Sequence, residues 1–180
     1  MTISKDNVLK YLTDTKSFFV TYHNHKETGA WAGIALFVPL LALMANLTDK
    51  VYPSTSDVCQ VNFWKLGATV AIVLFAALVL FYVRKQFELR KFAGNVNAAC
   101  FRLSLEYLKI NESDIDENLF NLVNDTDEEI QAKYYLPKFL LDEVDIVKSM
   151  GTKAQKTLEN IGYYLIGLAS MSAIILIWLR

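Results

Sequence analysis

Two cysteines, two histidines, three prolines and seven glycines in 180 residues leave little material for the common catalytic and metal-binding motifs. The chain has no phosphate-cradling glycine loop, no nucleophile elbow and no zinc-ligand spacing. His23 and His25 are its only histidines, and their spacing of two would point them to different sides of a helix, with no cysteine or carboxylate at ligand spacing. They read as part of a polar linker. A serine or cysteine nucleophile needs a positioned base, which this pattern does not supply, so the expectation is a protein that is not an enzyme and has no cofactor or metal. Cys59 and Cys100 are too few for a disulfide framework. Basic residues are not interleaved with aromatics, so no nucleic-acid partner is expected.

Three long stretches lack charge altogether, and these organise the rest. Residues 66–83 contain eleven Leu, Ile, Val or Phe side chains; inserting them into a bilayer is favourable by about 3–6 kcal/mol in sum. Eighteen helical residues cover about 27 Å, close to the hydrocarbon thickness, and a helix is the form in which a single segment satisfies its own backbone there. Residues 28–48 and 160–179, the latter followed by Arg180, have the same character, with Trp31, Tyr82, Tyr163, Tyr164 and Trp178 near the ends where amphipathic rings prefer the interface. The fold class expected is therefore an all-α integral membrane protein with three transmembrane helices and a small cytoplasmic helical domain between the second and third.

Charge then orients the chain. Arg84, Lys85, Arg90 and Lys91 follow the second span, and four lysines precede the first, whereas the connection at 49–65 holds only Lys50 and Lys65. The positive-inside rule puts residues 1–27 and 84–159 in the cytoplasm, makes 49–65 a short external loop and leaves the C-terminus external. A bacterial inner (plasma) membrane is the expected location. The cluster Arg84, Lys85, Arg90 and Lys91 would also suit anionic lipid headgroups.

The soluble parts read as helices. Val8, Leu12 and Phe19 recur at helical spacing in the amphipathic segment 1–27. Leu89, Phe92, Val96, Ala99, Leu103 and Ile110 form an apolar stripe. If Gly94 and Asn95 do not interrupt it, the second span and this stripe make one helix of about 45 residues. The acidic run from Glu112 to Glu129 imitates a calcium loop at Asp114, Asp116 and Asn118, but Leu119 stands where the loop needs glycine. Helix caps at Ser113 and at Thr126 with Glu129 explain it better. Pro137 is expected to open a further helix and Gly151 to end it.

Within the spans, Gly29 and Gly33 form a small-xxx-small pair, and Gly167, Ala169, Ser170 and Ala173 a small-residue centre suited to close helix packing. Phe92, Val96 and Leu103 are candidates for packing within the chain or between copies. Pro39 is the hinge candidate, since it lacks an N–H and crowds the carbonyl of Ala35. No Asp, Glu, Lys, Arg or His lies inside a span, which disfavours ion-coupled transport. In architecture the chain resembles many short bacterial membrane proteins, among them membrane-disrupting effectors of defence or stress systems. The function expected is an oligomeric membrane protein, channel-like or membrane-disrupting, whose cytoplasmic domain senses or binds a partner. Its partners would be membrane lipids, further copies of itself and a cytoplasmic protein. A membrane anchor or scaffold subunit is the alternative, and a membrane-embedded enzyme has the least support.

Overall fold

The computed structural model describes residues 4–51, 58–111, 115, 119, 136–150 and 153–179. They form four α-helices and, among the described residues, no strand: α1 (Lys5–Val51), α2 (Val58–Tyr107), α3 (Lys138–Ser149) and α4 (Lys153–Leu179). Three of these, α1, α2 and α4, are long and apolar enough to cross a membrane. The acidic run, its proposed caps at Ser113 and Thr126, Gly151 and the side chain of Cys59 lie outside the described residues.

Helix boundaries and apolar-run boundaries turn out to be different things. α1 is one helix of 47 residues that passes through Lys26 and Glu27, and α2 one of 50 that passes through Arg84 and Lys85. Charge ends a hydrophobic run, but it does not end a helix. Hence the expected loop at 49–65 is mostly helical, with α1 reaching Val51 and α2 beginning at Val58. Gly94 and Asn95 do not break α2 either. A helical glycine costs about 1 kcal/mol, and the buried flanking residues Ala93 and Val96 offset it through packing. Pro39 lies inside α1 on its exposed side. Pro137, extended at φ −64° and ψ 154°, is the N-cap of α3, its carbonyl accepting from the amides of Leu140 and Leu141 at 3.1 Å.

The chain divides into two compact units, and both use α1 and α2. The first comprises Met1–His25 and Leu89–Gly151. Its core joins Val8, Leu12 and Phe19 of α1 to Ala93, Val96, Ala99, Cys100 and Leu103 of α2, and to Leu136, Leu140 and Val144 around α3. Each aliphatic or aromatic side chain withdrawn from water here contributes about 1.5–3 kcal/mol. α1 and α2 run antiparallel in this unit, because Lys5 meets Leu108 while His23 meets Arg90. Phe19 and Phe92 stack edge to face at 6.0 Å, as do Tyr107 and Phe139 at 6.5 Å.

The second unit comprises Lys26–Glu88 and Thr152–Arg180. Its interior is filled by Ile34, Phe37 and Leu41 of α1, Ile72, Val83 and Phe87 of α2, and Ile166, Ala173 and Ile177 of α4. Gly162 lets α4 come close: a Cβ there would stand 3.1 Å from Ile34 Cδ1 and 3.5 Å from Phe87. Trp178 Nε1 donates to Thr69 Oγ1 at 3.0 Å, and Thr69 in turn donates to the Lys65 carbonyl at 2.8 Å.

Candidate functional site

The small residues singled out from the sequence divide into two groups. Gly29 and Gly33 face α2 of the same chain, where a Cβ on Gly29 would meet Gln86 and the Tyr82 hydroxyl at 3.6 Å, and one on Gly33 the Tyr82 ring at 3.1 Å. Ser170 and Ala173 are also turned into the second unit, Ser170 donating to the Ile166 carbonyl at 2.7 Å, and Ala169 is half-buried. Gly167 points the other way, with no atom within 4 Å of where its Cβ would be, and Gly67 on α2 does the same. The small-residue centre of α4 therefore serves packing inside the chain on one side and is open on the other.

The four basic residues after the second apolar run do not form one exposed patch. Arg84 donates from Nε to Glu88 Oε1 at 3.1 Å, and Lys85 Nζ lies 3.9 Å from the other oxygen, all three at the surface. Lys91 is half-buried. Arg90 is buried, its Nε–H donating to His23 Nε2 at 3.4 Å while His23 Nδ1 faces the Arg90 carbonyl at 3.1 Å. A neutral imidazole that carries its hydrogen on Nδ1 satisfies both contacts at once. His23 is thus part of the α1–α2 joint of the first unit, a role its local sequence did not disclose because its partner lies 67 residues away.

Two further polar ties hold the first unit. Lys5 Nζ donates to the carbonyls of Leu108 and Ile110 at 2.9 and 3.0 Å, just past the end of α2 at Tyr107. Arg102 Nε stands 2.8 Å from Glu143 Oε1, with the Glu143 side chain nearly covered and that of Arg102 about half exposed. Cys100 is fully buried, and burial pushes its thiol up to about 11 although Lys16 opposes the shift. At neutral pH it stays a thiol, unsuited to nucleophilic attack or metal ligation. Burial likewise raises the Tyr11 hydroxyl above its usual range. No three histidine, cysteine, aspartate or glutamate side chains converge on a metal-sized space among the described residues.

Phe92, Val96 and Leu103 occupy the core side of α2, half-buried in the first case and buried in the other two. The sequence reading stopped at that stripe and missed a second one. Phe101 and Leu105 on a different face of α2, and Leu108 one residue past its end, follow one another at steps of four and three, and they are 52%, 47% and 57% exposed. Their spacing was available in the sequence; what concealed them is that a helix with one apolar face already assigned is expected to be polar elsewhere. An exposed apolar stripe of this kind is the usual mark of an interaction surface. Comparison with protein families, with curated proteins and with solved structures found no match for this chain.

Proposed function

We propose that the chain is an integral membrane protein that assembles with further copies of itself, the second unit lying in the bilayer and the first acting outside it as an interaction or sensing domain. The observation that carries this reading is the filled interior of the second unit. Phe37, Ile72, Phe87 and Ile166 are all buried there, so three helices of one copy pack around side chains instead of a passage. Any pathway for solute therefore has to form between copies, as closed rings of subunits provide. The outward-facing Gly67 and Gly167 are compatible with close helix approach in such a ring. α1 and α2 each supply residues to both units without a break, which gives an event at the first unit a direct covalent route to the second.

The test is particle mass in lipid nanodiscs, followed by release of a small fluorescent solute from vesicles carrying the purified protein. A multi-chain particle with protein-dependent release is expected. A single-chain particle would overturn self-assembly, and a multi-chain particle in tight vesicles would favour the anchoring role over a channel-like or membrane-disrupting one.

A further inference from the structure

We propose that Met150 is an oxidant-responsive modification site: a peroxide converts its thioether to the sulfoxide, and Arg102 holds the oxygen so gained, tightening the first unit where the end of α3 meets α2. This inference stands apart from the self-assembly reading and needs neither a second copy nor a pore. Met150 is the C-cap of α3, and its amide donates to the Val147 carbonyl at 3.1 Å. Its side chain is 61% exposed, so a small oxidant reaches the sulfur. Among the described residues it is the methionine of the first unit, since Met44 and Met171 belong to the second.

The guanidinium that would hold the sulfoxide is already in place. Arg102 Nε stands 2.8 Å from Glu143 Oε1, and its Nη1 donates to Met150 Sδ at 3.6 Å. The Glu143 side chain is nearly covered, so it anchors the guanidinium whatever the state of the sulfur. A thioether is a weak acceptor, and the cationic N–H aimed at it gains far less there than an oxygen would give. Oxidation supplies that oxygen. A lone pair of Sδ attacks one oxygen of hydrogen peroxide, the O–O bond breaks as the S–O bond forms, and the proton on the transferred oxygen passes to the departing hydroxide, which leaves as water. The sulfur is oxidised and the peroxide reduced, with no other co-reactant. The unbranched side chain turns easily enough to present the new oxygen to Arg102 in either epimer. Oxidation of a core methionine disrupts packing; Met150 is exposed, so its sulfoxide disturbs no core and adds a charge-assisted bond between α2 and the end of α3.

The experiment treats the full chain in lipid nanodiscs with hydrogen peroxide, locates the added oxygen by peptide mapping and follows amide exchange across Lys138–Ser149. Met150 is expected to gain one oxygen, and the α3 amides to exchange about threefold to tenfold more slowly than before treatment. Methionine sulfoxide reductases should return both to the starting state. Met150→Leu should show no such slowing, which separates this residue from other oxidised positions. Arg102→Met with Glu143→Leu removes the guanidinium without orphaning a covered carboxylate; it should still take up oxygen at Met150 but gain no protection. Met150→Gln, whose amide oxygen offers Arg102 an acceptor without any oxidant, should show the slower exchange in untreated protein. A Met150 that stays reduced while other methionines of the chain oxidise would overturn the site. Exchange in α3 that is unchanged or faster after oxidation, or the same slowing in the double variant, would overturn the part given to Arg102.

Discussion

Val83 and Val96 are thirteen residues apart on one helix and both fully buried, yet the surroundings that bury them are held together in different ways. Around Val96, in the first unit, polar ties run between elements: Lys5 to the end of α2, Arg102 to Glu143, His23 to Arg90. Around Val83, in the second unit, close approach at Gly29, Gly33 and Gly162 and edge-to-face contacts of Phe87 with Trp31 and Tyr163 do that work. The difference is the one that the proposed placement of the second unit in a bilayer calls for. Water rewards burial of apolar surface and tolerates charged ties at the rim, whereas helices in a bilayer gain little from apolar burial and depend on contact distance. On that proposal the same pair of helices answers to two solvents.

The sharpest break in that comparison is Leu140→Ala, which opens a cavity in the first unit at a residue that is fully buried. A loss of about 2–5 kcal/mol is expected there. Hydrogen exchange should rise across Val8–Phe19 and Ala93–Leu103 while the amides of Ala30–Ala45 keep their protection; equal loss in both regions would mean that the units do not unfold separately.

Alkaline pH acts next. The Cys100 thiol is raised from 9.0 to about 11 in the folded state, so the folded chain holds its proton longer than the unfolded one. Its contribution is complete below pH 9 and is lost as pH climbs toward 11, by about 2 kcal/mol. Thermal midpoints of the parent and of Cys100→Ala, compared between pH 8 and 11, should converge as pH rises. Parallel curves would rule out the thiol as the source.

Arg102→Ala leaves the covered Glu143 carboxylate without its cation, and an expected loss of about 1–2 kcal/mol reflects the half-exposed position of the arginine. Replacing both, Arg102→Met with Glu143→Leu, should recover most of it. A double variant as unstable as the single one would show that packing of the arginine stem, and not the orphaned charge, dominates.

The smallest effects separate the glycines. Gly162→Ala must displace Ile34 Cδ1, 3.1 Å from the added carbon, and should lower the melting midpoint of the second unit. Gly167→Ala meets no atom within 4 Å and should be neutral or stabilising by up to about 1 kcal/mol in a single copy. If it instead weakens association between copies, Gly167 lies at their interface.

Much of this was legible in the residues themselves. The three uncharged runs identify the helices capable of crossing a membrane, because charge-free length is a property of composition and needs no partner. Val8, Leu12 and Phe19, and likewise Val96 and Leu103, were readable from their spacing alone as sharing an apolar helix face, and all are buried. The continuity of α2 through Gly94 was not readable, since glycine's local cost is small enough for packing to override it. Nor was the joint between His23 and Arg90, which depends on a partner remote in sequence.

What the sequence by itself determined is where the chain is apolar, where it is charged and which faces of its helices repeat, since these follow from residue type and a fixed helical period. Only the tertiary structure decided which face of α2 is core and which is bare. Phe101 and Leu103 differ by two residues and are both apolar, so local chemistry gives each an equal claim to burial. The packing of α1 and α3 against one side of the helix buried Leu103 and left Phe101, Leu105 and Leu108 open.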